Sequence, residues 1–171
     1  GGAVVTNDDA VAGALRRIKD FGRTSGGADI HDSLGFNFKF TDFQAVIGIE
    51  QMKKLPWRLQ RKKEIWQRYR KQLDGIDAIE WIETDTGRVA PWFIDVFVAE
   101  RDELSRHLRD GGIGSRPIYP PVHAQKAIGL GHLSFPVTDH YAARGLWLPS
   151  STRLGDGDVD RVCQAIGAFY R

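Results

Sequence analysis

The chain has 171 residues, enough for one domain or for one domain and part of another. Its 42% apolar and 27% charged residues are an ordinary globular balance, and a formal net charge of +2 does not by itself point to a polyanion partner. The single cysteine, Cys163, excludes an internal disulfide and fits a reducing cytoplasm, and no apolar run approaches the roughly 20 residues a spanning helix needs.

The chain opens without a methionine or a signal peptide, directly in what reads as a short buried strand over residues 3–6, and a fragment of a longer protein is expected. Asn7, Asp8 and Asp9 then offer a cap and negative charge for a first helix. Ala10, Val11, Ala14, Leu15 and Ile18 form its apolar stripe, and Gly22 is its stop. Residues 22–37 set Gly22, Gly26, Gly27 and Gly35 among Arg23, Thr24, Ser25, Asp29 and His31. A polar, glycine-rich loop of this length is more often functional than idle.

The chain is organised around the stretch Gly35-Phe36-Asn37-Phe38-Lys39-Phe40-Thr41-Asp42-Phe43-Gln44-Ala45. Thr41 and Gln44 have the spacing of a reciprocal capping box, with Phe40 placed to staple onto the first turn. Before the cap, Phe36, Phe38 and Phe40 alternate with Asn37 and Lys39. An extended approach puts the aromatics on one face and an amide and an ammonium on the other, at a helix mouth that favours an anion. Two readings stay open at this point: an anion site, or an aromatic-anchored helix entry with two solvated polar residues.

The helix from Thr41 should run to about Lys54, where Pro56 forces a break, and a second helix should continue to Leu73. Residues 53–71 hold nine Lys or Arg and one acid, Glu64, interleaved with Trp57, Trp66 and Tyr69. Basic charge with aromatic platforms suits single-stranded nucleic acid. A long helix burying Leu59, Ile65, Trp66 and Tyr69 with its charges in water explains the pattern better, so no nucleic-acid partner is expected.

Beyond Gly75 the pattern becomes short strands alternating with helices. Strands are expected over 79–82, 92–98, 114–118 and 146–148. Helices are expected over 101–110, capped by Asp102 and stopped by Gly111-Gly112, over 137–144, and over about 156–170. The last helix buries Val159, Val162, Cys163, Ile166 and Phe169, which makes Cys163 an inert core thiol. The division expected is therefore 1–73, a strand and long helices, and 74–171, a small α/β unit.

The five histidines have no metal-ligand spacing, and His107, among charged residues, should be solvated. His31 closes the glycine-rich loop. His123 closes the run Arg116-Pro117-Ile118-Tyr119-Pro120-Pro121-Val122-His123, where prolines would hold an Arg, a phenol and an imidazole at fixed places. That run is either a grip on a polar ligand or a rigid connector with polar tips.

Three segments, Gly-Gly-Ala-Val-Val-Thr-Asn-Asp-Asp, Gly-Phe-Asn-Phe-Lys-Phe-Thr-Asp-Phe-Gln-Ala-Val-Ile-Gly and Gly-Ile-Gly-Ser-Arg-Pro-Ile-Tyr-Pro-Pro-Val-His, occur in order. Together they resemble the sugar-nucleotide aminotransferases of the DegT/DnrJ/StrS family, and the resemblance covers essentially the whole chain. Residues 18–24 and 40–58 look most like the perosamine synthases, which move an amino group from glutamate to C4 of a GDP-4-keto-6-deoxy sugar.

The resemblance implies the C-terminal half of a homodimeric pyridoxal 5'-phosphate (PLP) enzyme of aspartate-aminotransferase-like fold (fold type I). Residues 1–73 would be the end of the large cofactor-binding domain with interdomain helices, and 74–171 the small C-terminal α/β domain. It implies that Asn37 reaches the cofactor phosphate of the other subunit, with Lys39 where most members carry Arg. It implies that His123 lines the sugar-nucleotide pocket, with Tyr119, Arg116, His31 and Arg23 as further substrate-binding candidates. The family lysine that carries the cofactor lies before the first strand and has no counterpart here, so no catalytic residue is assigned and the chain alone is expected to be inactive. Whether that missing position is Lys or His separates the aminotransferases from sugar dehydratases of the same family. A non-catalytic dimerisation or binding module is the alternative of another kind.

Overall fold

The computed structural model describes residues 2–24 and 29–171; Gly1 of the first segment and Ser25, Gly26 and Gly27 of the glycine-rich loop lie outside the described residues. Two compact units are present, Gly1–Lys53 and Lys54–Arg171. The units thus divide before the boundary expected after residue 73.

In the first unit, Asp8 starts helix α1 (Asp9–Lys19) by accepting from the amides of Ala10 at 2.8 Å and Val11 at 3.1 Å. The helix ends in a tight turn at Phe21 (φ 58°) and Gly22 (φ 79°), where the Gly22 amide returns to the Arg17 carbonyl at 2.8 Å. Helix α2 (Asp42–Lys53) begins at the expected capping box: the Thr41 amide donates to Gln44 Oε1 at 2.9 Å, and the Gln44 amide to Thr41 Oγ1 at 3.3 Å. Phe40 lies over Gly48. No residue of α2 is buried, and Phe43, Val46, Ile47, Ile49 and Met52 are all exposed. Residues 3–6, expected as a buried strand, pair with nothing among the described residues, and Val5 is 93% exposed. A strand needs a neighbour for its amides and carbonyls, and the described residues offer these none.

The second unit holds the core. Helix α3 (Leu55–Leu73) starts at Pro56, as the break required, and buries Ile65, Tyr69 and Leu73. Strands β1 (Ile94–Phe97), β2 (Arg116–Pro117) and β3 (Gly145–Leu148) form an antiparallel sheet in the order β1-β3-β2. Ile94 pairs with Leu148 and Val96 with Leu146, and this face of the sheet packs on the helices. The helices α4 (Arg101–Asp110), α5 (Pro136–Arg144) and α6 (Asp156–Phe169) complete the unit, with Leu104, Leu108, Val159, Val162 and Ile166 in the core. Cys163 is buried there as expected, and burial pushes its thiol up to about 12.

The structure corrects several local expectations. Residues 79–82 make only a bridge from Glu80 to Phe97, and 114–118 shrink to β2, because Pro117 and the prolines after it cannot donate to a ladder. Asp102 does not cap α4; it sits in the first turn and takes Arg101 Nε at 2.8 Å, while Glu100 holds the cap position without a side-chain bond. His107 is not solvated: its Nε2 donates to the Ala165 carbonyl at 3.0 Å and its ring leans on Phe169. The basic face of α3 is largely consumed within the unit. Arg61 pairs with Asp156 at 2.9 Å and Arg68 forks onto Asp160 at 2.6 and 2.7 Å, fastening α3 to α6. Among the described residues no helix is long and apolar enough to cross a membrane.

Candidate functional site

The first cluster lies in the first unit, where residues 33–38 zip onto the end of α1. The Phe36 amide donates to the Ile18 carbonyl at 2.7 Å, Phe21 to Phe36 at 3.0 Å, and Phe38 to Lys19 at 3.0 Å, around an antiparallel bridge between Asp20 and Asn37. Two glycines make this close approach possible. A Cβ on Gly22 would stand 1.8 Å from the Ser33 carbonyl oxygen, and one on Gly35 would stand 2.0 Å from the Gly22 nitrogen.

Asp20 is the hub. Arg23 donates to it at 2.7 Å and Lys39 at 2.9 Å, and these cations, Arg23 first, hold its carboxyl below the usual carboxylate value. Arg23 also reaches Asp29 at 2.9 Å, and Lys39 lies 4.5 Å over the Phe21 ring. His31 Nδ1 donates to the Phe21 carbonyl at 2.8 Å. The structure therefore brings Arg23, His31 and Lys39 together around Phe21 and Asp20. Lys39 is an ion-paired strut there rather than a free ammonium.

Asn37 is different. It is exposed, and its amide has no hydrogen-bond partner among the described residues. It lines an open cavity of about 1010 Å³ with Thr6, Arg16, Lys39 and Gln44. A free carboxamide donor whose neighbours Phe36 and Phe38 are bonded to residues 18, 19 and 21 of the same chain suits a phosphate oxygen. The residues present thus fit the tail of PLP at Asn37, and fit it less at Lys39, whose charge Asp20 already answers.

The second cluster lies in the second unit, on the sheet face turned away from the core. Asp95, Trp147 and Arg116 stand side by side across β1, β3 and β2. Trp147 Nε1 donates to Asp95 at 2.6 Å; burial raises the Asp95 carboxyl, and that bond opposes the rise. Arg116 lies 5.0 Å over Tyr119 and 5.6 Å over Trp147, while Tyr119 meets Trp147 edge-on at 4.7 Å. His123 has other contacts: its Nε2 donates to Asp139 of α5 at 2.8 Å, and its ring leans on Phe135. In the neutral ring that leaves Nδ1 as an acceptor.

Sequence reasoning missed Asp20, Asp95, Asp139 and Trp147. Phe93 and Asp95 alternate with Ile94 and Val96, a signal that could have marked a second, polar face of β1. Asp95 and Trp147 are 52 residues apart, with α4, β2 and α5 between them, so their pairing leaves no local trace. Among the described residues no cluster of His, Cys, Asp or Glu could hold a metal.

Known proteins share both the sequence and the fold. GDP-perosamine synthase of Escherichia coli O157:H7 is 30% identical to the chain over 173 residues, which is 99% of the chain and 47% of the relative. GDP-perosamine synthase of Vibrio cholerae is 29% identical, over 99% of the chain and 48% of the relative. The crystal structure of a DegT DnrJ EryC1 StrS aminotransferase from Brucella abortus superposes with a TM-score of 0.83 at 27% identity, covering 96% of the chain and 45% of that structure. The chain thus spans about half the length of the curated relatives it matches, and its fold is that of the fold type I aminotransferases. With residues 1–167 matching in one uninterrupted stretch, the chain belongs to the DegT/DnrJ/EryC1/StrS aminotransferase family.

Proposed function

We propose that the chain is the C-terminal half of a cytoplasmic, homodimeric, PLP-dependent nucleotide-sugar aminotransferase that takes an amino group from glutamate to the keto group of a nucleotide-linked 4-keto-6-deoxy sugar. The observation that carries the reading is Asn37, an unpartnered amide on a locked backbone, in a chain matching the family over residues 1–167. In this reading residues 1–73 are the end of the large domain with its interdomain helices, and 74–171 the small domain.

PLP, when bound, supplies the electron sink that lets an amino group move between carbons. This chain's residues bind and orient. Asn37 donates its amide to a phosphate oxygen of the cofactor in the neighbouring subunit. Lys39 lends positive charge nearby but is held by Asp20. In the second unit, His123, fixed by Asp139, and the Arg116–Tyr119 pair are the proposed sugar-nucleotide contacts; in the first unit, His31 and Arg23 are the further substrate-binding candidates. The proton-moving lysine is not among these 171 residues at the family position, so catalysis needs a segment beyond them.

The test is a full-length enzyme carrying this chain, given glutamate and a GDP-4-keto-6-deoxy sugar. Equal amounts of 2-oxoglutarate and aminated sugar nucleotide are expected. No amino transfer to any nucleotide-linked keto sugar would overturn the reading. The 171-residue chain incubated with cofactor and then freed of unbound cofactor by gel filtration should be colourless, and a yellow protein would overturn the claim that it cannot act by itself.

A further inference from the structure

Helix α5 offers His123 a seat with two contacts. Phe135 stands just before its first residue, Pro136, and Asp139 follows one turn later, its amide returning to the Phe135 carbonyl at 2.9 Å. The His123 ring lies 4.8 Å from the Phe135 ring, and its Nε2 lies 2.8 Å from Asp139 Oδ1. Residues four apart share one side of a helix, so an apolar ring and a carboxylate meet the imidazole together. The helix is itself tied down. Tyr141 donates to Glu80 at 2.7 Å and packs edge-on against Phe97, while Arg101 donates to the Ala142 carbonyl at 3.0 Å. On the opposite flank, Pro120 and Pro121 lead into the tight turn Val122–Ala124 that carries His123.

Two features set this pair apart from a surface ion pair. Asp139 has no Lys or Arg partner among the described residues, so its carboxylate is directed at the imidazole alone. His123 keeps only 12% of its side chain exposed, yet its Nδ1 is not buried and has no partner among the described residues. An ionised carboxylate accepts and never donates, so Nε2 carries a hydrogen and the neutral ring offers Nδ1 as a bare acceptor. An acceptor held in this way suits a hydroxyl donor.

We propose that Asp139 is a positioning residue: by holding the Nε2 hydrogen it sets the tautomer and angle of His123, so that Nδ1 receives a hydroxyl hydrogen of the nucleotide-linked sugar, from its ribose or its hexose. The proposal rests on the nucleotide-sugar reading above and adds which atom of His123 meets the ligand and which group aims it. Asp139 itself touches no ligand.

The experiment uses the full-length enzyme in its PLP form without an amino donor, so that a GDP-4-keto-6-deoxy sugar binds and is not turned over. Calorimetry compares wild type, His123→Ala, Asp139→Ala and the double variant, with GDP alone as a second probe. His123→Ala is expected to weaken the sugar nucleotide by about 2- to 12-fold, the worth of one hydrogen bond. Asp139→Ala should weaken it by no more than that, and should cost nothing further once His123 is gone, with the cofactor absorbance unchanged throughout. An equal loss with GDP places the hydroxyl on the ribose, and a loss confined to the sugar nucleotide places it on the hexose. In ligand-free enzyme carrying 15N-histidine, at about pH 8.5, about two units above the ordinary histidine value, the His123 resonances should show the hydrogen on Nε2 in wild type and shared between both nitrogens in Asp139→Ala. A hydrogen on Nδ1 of the wild type overturns the positioning role alone. So does unchanged affinity in Asp139→Ala, or a further loss from Asp139→Ala when His123 is already absent. Wild-type enzyme that binds neither probe overturns the nucleotide-sugar reading and the ligand contact with it, while the resonances still decide the tautomer.

Discussion

Asn37 stands opposite Asp20 in an antiparallel bridge, and Asp20 in turn ties down Lys39, two residues further on. The amide assigned to the cofactor is therefore placed by the last turn of α1 rather than by its own loop. Gly35 is the weak point of that arrangement, since a Cβ there would stand 2.0 Å from the Gly22 nitrogen. Gly35→Ala in a full-length enzyme should cost about 1–3 kcal/mol of local packing and loosen the cofactor, read as faster loss of its absorbance on dialysis. Retention equal to wild type would show that the zipper does not position Asn37.

Asn37→Ala tests the contact itself. Its side chain is exposed and unpaired, so thermal stability without cofactor should not change. Cofactor affinity should fall by about 1–3 kcal/mol, the worth of one hydrogen bond to a charged group. Titration of the apo-enzyme with PLP measures it, and an unaltered affinity would remove Asn37 from the site.

Lys39 and Arg23 both lean on Asp20. Asp20→Asn should free Lys39 to turn toward the phosphate, so this variant should hold cofactor at least as well as wild type at neutral pH. Lys39→Met should weaken retention less than Asn37→Ala. The reverse order in a side-by-side dialysis would make Lys39 the principal phosphate ligand.

Asp160 gives the second unit an acid-sensitive clamp. The Arg68 fork, helped by Gln72, lowers its carboxyl from 3.8 to about 2. A depressed folded-state pKa contributes stability that is complete above 3.8 and is lost as pH falls through about 2. Denaturant midpoints followed downward from about pH 5 should therefore drop more steeply for wild type than for Asp160→Asn. Parallel curves would show that the clamp contributes nothing.

Leu108 is fully buried between α4 and the rest of the core. Leu108→Ala should cost about 2–5 kcal/mol in equilibrium unfolding. A loss under about 1 kcal/mol would mean the site collapses around the gap.

Elements whose ends are written locally were legible in the sequence. Thr41 and Gln44 marked α2, Asp8 and Gly22 bracketed α1, and Pro56 split α2 from α3. Strands were legible only as short apolar runs that end up buried at nearly every position, as in β1 and β3. Residues 3–6 carry a strand pattern, but pairing depends on a neighbour that local sequence does not name. The site divided in the same way. Tyr119 and Arg116 stood out in one rigid run, whereas Asp20 drew attention only once the backbone brought Asn37 to it. Likewise the charges of α3 looked like an outward face because their acids come far later in the chain, Asp160 standing 92 residues after Arg68.

Helix α2 carries greasy side chains on all sides and covers none of them, while the second unit closes over a complete interior of its own. A helix with no covered face gains little from burial by itself, so α2 is expected to draw its stability from polypeptide packed over it, whereas the helices and sheet of the second unit draw theirs from each other.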